Sequence, residues 1–290
     1  MDGIVPKTGG TRGRCRRRDG RDPFHLNRRM NSRIPLLLLP LLLAACGAPP
    51  SPETKPSADP VKLTVAVAAS MRYAFEETAA AFQKTHPGVQ IEASYGASGA
   101  FFAQLTQRAP FDLFLSADTD YPDRLIAEGH AEAAFPYATG RLVLWAPKEA
   151  GLEVATRGME ALKDLRVAKI SIANPKLAPY GRAAVAAMAH HGIEVDAAKL
   201  VRAENVGQAA QFVQSGAAQI GLFAYSLTFT DAMKDAGDLW LVPETSHEPL
   251  AQSGTVLPWS QHRATAEALR DFLLGPEGRA ILERHGFGAP

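Results

Sequence analysis

Leu63-Thr64-Val65-Ala66-Val67-Ala68-Ala69-Ser70 is a short apolar run closed by a serine, and helical spacing begins just beyond it. Phe75, Thr78, Ala79 and Phe82 fall on one face of that helix, which the breaker His86-Pro87-Gly88 ends. The pattern then recurs. Val89-Gln90-Ile91-Glu92-Ala93-Ser94-Tyr95-Gly96-Ala97 reads as a strand, Ser98 closes it, and Phe101, Phe102 and Leu105 begin a second helix. Strands alternating with helices predict an α/β fold with parallel sheets. A small hydroxyl residue at such a junction sits beside free backbone N–H groups and the positive end of a helix dipole. That arrangement holds an oxyanion without a charged side chain. Serine is also an ordinary N-cap, and each of the two taken alone reads first as a cap.

The alternation continues along the chain. Asp112–Ser116, Leu142–Trp145, Val167–Ala173, Ala218–Ala224 and Leu239–Val242 read as strands, and Pro179–His191 as a helix. A folded part of roughly 230 residues can form one domain or two. A cleft between lobes is the usual place for a bound anion, which favours two lobes. The first is expected over 61–140 plus 244–290 and the second over 141–243, with crossings near Ala138–Leu142 and Leu241–Thr245.

Two more junctions suit an anion. In Leu177-Ala178-Pro179-Tyr180-Gly181-Arg182, proline fits the first helical position, where its missing N–H would be unpaired anyway. The Tyr180 hydroxyl is then a neutral donor near the helix start. In Glu204-Asn205-Val206-Gly207-Gln208, Asn205 is a good N-cap and leaves the Val206 N–H unclaimed. A packing tyrosine and a plain capped helix are the simpler readings of these two segments.

The N-terminus reads as a targeting segment. Arg28, Arg29 and Arg33 precede Ile34-Pro35-Leu36-Leu37-Leu38-Leu39-Pro40-Leu41-Leu42-Leu43, which is too short to span a bilayer, and small residues follow. Residues 1–45 are expected to be an export signal, and 1–29 not to be translated if synthesis starts at Met30. Leu43-Ala44-Ala45-Cys46 resembles the bacterial lipoprotein box, which implies lipidation at Cys46. Residues 46–60 are a Pro-rich tether. Localisation is then periplasmic, with the lipid anchor in the cell membrane or the outer membrane.

Charge and cysteine use narrow the function. Residues 1–45 carry 10 of the 31 Lys and Arg but 3 of the 30 Asp and Glu. The remainder has 21 basic and 27 acidic residues, a net charge of −6. Nucleic acid is excluded as a partner, and a bound anion must be held by local dipoles. With Cys15 in the signal and Cys46 lipidated, no thiol is left for catalysis or metal. A serine hydrolase is the rival from another class, but Gly96-Ala97-Ser98-Gly99-Ala100 is not a nucleophile elbow and Ser70-Met71-Arg72-Tyr73 lacks the S-x-x-K lysine. His190-His191 suits a helix C-terminus. Asp118-Thr119-Asp120 lacks the glycine and glutamate of a calcium loop and reads as a solvated turn.

Ala68-Ala69-Ser70, Gly96-Ala97-Ser98-Gly99, the run Ala109–Asp118, Ala178-Pro179-Tyr180-Gly181, Glu204-Asn205-Val206 and the closing Gly275-Pro276-Glu277-Gly278 with His285-Gly286-Phe287 occur in an order that resembles the periplasmic molybdate-binding proteins of ABC importers. The resemblance spans about Lys62 to Phe287. It implies the two-lobed periplasmic binding protein fold, each lobe a mostly parallel sheet flanked by helices. The lobes would close on a tetrahedral oxyanion, molybdate or tungstate, with no other cofactor. It implies donors from Ser70 and Ser98 in the first lobe and from Tyr180 and Val206 in the second, with Tyr225 held in reserve. It also implies a monomer that docks on ABC permease subunits. Another oxyanion, such as sulfate, is the nearest alternative ligand.

Overall fold

The computed structural model describes residues 60–290. The signal segment 1–45, Cys15, Cys46 and all but the last residue of the tether lie outside the described residues.

Strands β1 (Val61–Ala68) and β2 (Val89–Gly96) flank helix α1 (Arg72–Thr85) in sequence and pair in parallel. β1 is buried from Val65 onward because strands lie on both its sides, whereas the edge strand β2 alternates. α1 buries Ala74, Phe75, Thr78 and Phe82, and the chain leaves the helix at His86, whose ring stacks on Phe82 at 4.0 Å between ring centroids. Helix α2 (Ser98–Leu105), strand β3 (Leu113–Leu115), helix α3 (Asp120–Ala127) and strand β4 (Phe135–Gly140) follow.

With only Arg141 between, the chain passes into β5 (Leu142–Pro147), the first strand of a second sheet. The short helix α4 (Val154–Arg157), strand β6 (Ile170–Ala173), helix α5 (Pro179–His190), strand β7 (Leu200–Ala203), helix α6 (Val206–Gln214), strand β8 (Ile220–Ala224), helix α7 (Asp231–Lys234) and strand β9 (Gly237–Leu241) build the rest of it. The chain then returns as β10 (Leu250–Val256), between β3 and β4, and ends with α8 (Arg263–Leu274) and α9 (Pro276–Arg284). β6 starts later than the expected Val167, since Ala168 and Lys169 give their N–H groups to the Gln219 side chain rather than to a strand.

The sheets run β2-β1-β3-β10-β4 and β7-β6-β8-β5-β9. Both are mixed: four of the five strands in each run one way, and the fifth runs against both its neighbours, β10 between β3 and β4 and β5 between β8 and β9. The reason is topological. β10 and β5 each enter from the opposite lobe and run against the strands they meet. The two lobes therefore share one plan although no repeat is visible in the sequence.

The first lobe's core joins Phe75, Phe82, Leu113, Leu115, Leu269, Leu273 and Ile281, with a smaller cluster around Phe101, Phe114 and Leu125 on the other face. Burying each such large apolar side chain stabilises by about 1.5–3 kcal/mol. Ala68, Ala69, Ala97 and Ala117 of the first lobe belong instead to the second lobe's apolar cluster. The lobes thus meet through small residues at strand ends, which places four helix starts face to face.

Candidate functional site

Ser70 lies in the single turn Ala69–Met71 between β1 and α1, Ser98 opens α2, Tyr180 follows Pro179 at the start of α5, and Val206 opens α6. All four line one narrow cleft with Ala68, Ala69, Gly96, Ala97, Ala117, Ala178 and Pro179. Among the described residues, no charged side chain and no histidine lines it. The empty volume is about 190 Å³. Relative exposure is 1% for Ser70, Ser98 and Tyr180 and 4% for Val206.

The capping reading of the serines is corrected here. No side chain caps the Ala69–Met71 turn, α1 or α2. Ser98 is inside its helix, with Ala97 in the cap position, and its Oγ accepts the Ala117 N–H at 2.9 Å. That bond occupies a lone pair and leaves the hydroxyl hydrogen free to donate. The buried Ser70 Oγ has no hydrogen-bond partner among the described residues, an arrangement that costs roughly 1–3 kcal/mol unless a further group satisfies it.

On the second lobe, Asn205 does cap α6. Its Oδ1 accepts the Gln208 N–H at 3.0 Å, which sets Val206 at the first helical position with its N–H pointing out of the helix start. Pro179 places the Tyr180 N–H in the same situation. The Tyr180 hydroxyl accepts a hydrogen bond from Gln252 Nε2 at 3.2 Å. Burial pushes its pKa up, outweighing the smaller opposite effects of the Ser70 hydroxyl and Gln252. It is therefore a neutral donor throughout the physiological range. Tyr225 lies elsewhere: it opens a turn after β8, its ring packs edge-on to Phe229 at 4.8 Å, and Gly286 abuts it.

Three contacts that hold the cleft shut were not apparent from residue types. The Gly99 N–H donates to Leu177 O at 2.9 Å, and Ser226 Oγ donates to Ser70 O at 2.7 Å. Arg182 on α5 pairs with Asp118 beyond β3. Asp118 is accordingly no solvated turn residue. It is 8% exposed, accepts from Ser116 Oγ at 2.9 Å and meets the guanidinium from the opposite lobe. Burial raises its pKa, with Ser116 and Arg182 opposing. The signal for Gly99 is steric. A Cβ there would fall 2.4 Å from the Tyr121 hydroxyl and 2.9 Å from Leu177 O, so the lobes approach closely only with glycine.

Two α/β lobes hinged by crossing strands, with a neutral donor-lined cleft between them, define a solute-binding protein. A model of the bacterial extracellular solute-binding protein family matches residues 63–288, and the chain belongs to that family. The molybdate-binding protein of Azotobacter vinelandii is 37% identical over 235 residues, covering 80% of this chain and 92% of that protein. That of Rhodobacter capsulatus is 37% identical over 230 residues, 78% of this chain and 88% of the relative. The solved structure of the Azotobacter vinelandii periplasmic protein superposes with a TM-score of 0.72 at 33% identity, covering 79% of this chain and 99% of that one.

Proposed function

We propose that this chain is the extracytoplasmic solute-binding component of a molybdate ABC importer, and that tungstate fills the same site. The observation that carries the reading is the composition of the cleft. Four helix starts from two lobes present hydroxyl and N–H donors, and among the described residues no charged side chain intervenes and the buried Ser70 hydroxyl has no partner. The relatives named above bind molybdate, which supports the choice among oxyanions.

The chemistry follows from what each group offers. Molybdate at neutral pH is fully deprotonated, so every oxygen accepts and none donates. Ser70 and Ser98 donate from the first lobe, Tyr180 and the Val206 N–H from the second. Among the described residues no carboxylate lines the cleft to take the proton of hydrogen phosphate, which disfavours that anion. A site of neutral donors also suits a chain whose exported part is acidic, because helix dipoles supply the positive potential locally. Delivery to the permease is expected in the periplasm, from a protein tethered through lipidated Cys46.

Calorimetry of the protein against molybdate, tungstate, sulfate and phosphate tests the reading. Tight one-to-one binding of molybdate and tungstate, with phosphate at least a hundredfold weaker, is expected. Preference for sulfate or phosphate would overturn the ligand, and hydrolysis of model esters would overturn the class.

A further inference from the structure

Gln252 is fully buried in the middle of β10, where a polar side chain needs a reason. The register of β10 against β4 slips between Gln252 and Ser253, a bulge that re-aims the side chain. Its amide stands between two buried tyrosines. Nε2 donates to Tyr180 Oη at 3.2 Å, and Oε1 accepts from Tyr137 Oη at 2.9 Å. Tyr137 Oη is also 2.7 Å from Ser116 O, which takes a share of its single hydrogen. The adjacent Gly140 makes room. A Cβ there would sit 2.1 Å from Tyr180 Oη and 2.6 Å from Gln252 Nε2.

Resting on the proposed function, we infer that Gln252 is a positioning residue that makes Tyr180 a donor toward the anion. The argument is one of hydrogen counting. A tyrosine hydroxyl has one hydrogen, so a partner that accepts it leaves none for the cleft. With the amide N–H directed at Tyr180, the hydroxyl oxygen is occupied as an acceptor and its hydrogen turns to the cleft. With the amide reversed, Oε1 takes that hydrogen and Tyr180 offers the cleft only lone pairs, which repel an oxyanion. In the order the structure shows, Oε1 faces Tyr137 and Nε2 faces Tyr180. Gln252 also sits in the first lobe while Tyr180 sits in the second, so the relay is complete only when the lobes meet.

A double-mutant cycle on molybdate affinity separates this from a packing role. Gln252→Met keeps length without hydrogen bonds, and Gln252→Glu presents acceptors only. In the Tyr180 background Gln252→Met is expected to weaken binding roughly tenfold and Gln252→Glu more. In the Tyr180→Phe background, with no hydroxyl to aim, Gln252→Met is expected to change affinity less than about twofold. Equal losses in both backgrounds would overturn the inference, whichever of the two variants folds well enough to be measured. Wild-type protein that binds none of the oxyanions would overturn the functional reading, and this one with it. Wild-type binding with an additive cycle would overturn this one alone.

Discussion

Ser98→Ala is the most informative single substitution, because the proposed site gives its hydroxyl two separable jobs. Oγ accepts the Ala117 N–H in the protein itself, and its hydrogen is left for the ligand. Losing a charge-assisted hydrogen bond to a buried anion costs about 1.5–3 kcal/mol, which is roughly a ten- to 150-fold loss in affinity. The same substitution strands the Ala117 N–H in a site that is 3% exposed, at a cost of about 1–3 kcal/mol to the ligand-free protein. Calorimetry reads the first effect, and denaturant unfolding without ligand reads the second. Both are expected together. Affinity unchanged within twofold would refute the donor role of Ser98, and loss of affinity with no loss of stability would refute the orientation by Ala117.

Two further substitutions probe the frame around the site. Gly140→Ala should lower stability by about 1–3 kcal/mol through overpacking against Tyr180 and Gln252, and weaken molybdate binding as the hydroxyl is displaced; an unchanged unfolding midpoint would count against that packing. Arg182→Gln removes one of the influences that hold the raised pKa of Asp118 down, so the carboxyl should titrate higher still by carbon-13 NMR, and a return to the ordinary value of 3.8 would contradict the pairing. Because the folded-state pKa lies above the unfolded one, the stability due to Asp118 is greatest below the ordinary value and declines as pH rises through the raised one. The variant extends that decline to higher pH.

The elements of the fold that carry a local signal were legible. The apolar run of β1, the heptad-like face of α1, Pro179 at a helix start and Asn205 as a cap each state their own structure in a few residues. The meeting of Ser70, Ser98, Tyr180 and Val206 was suggested by four similar junctions and by family resemblance, not by any one of them. What stayed hidden depends on partners far along the chain. Nothing about Ser98 announces that Ala117 will hold its oxygen. Asp118 looks like a surface residue until Arg182, 64 positions on, covers it. Gln252 lies in a strand that alternates too weakly to be noticed, and its buried amide makes sense only beside Tyr137 and Tyr180. The antiparallel placement of β5 and β10 is likewise a property of how two lobes exchange strands.

The tightness of the cleft has a kinetic consequence. An oxyanion larger than water cannot pass the lips while they touch, so both entry and exit wait for the lobes to part. Residence time is then governed by the joints between lobes, Gly99 to Leu177, Ser226 to Ser70, Gln252 to Tyr180 and Arg182 to Asp118, as much as by the groups around the ligand. At about 1 kcal/mol each, weakening one joint speeds release roughly fivefold without touching a donor. A receptor that pulls those joints apart would unload the cargo by opening the door, with no need to compete for it.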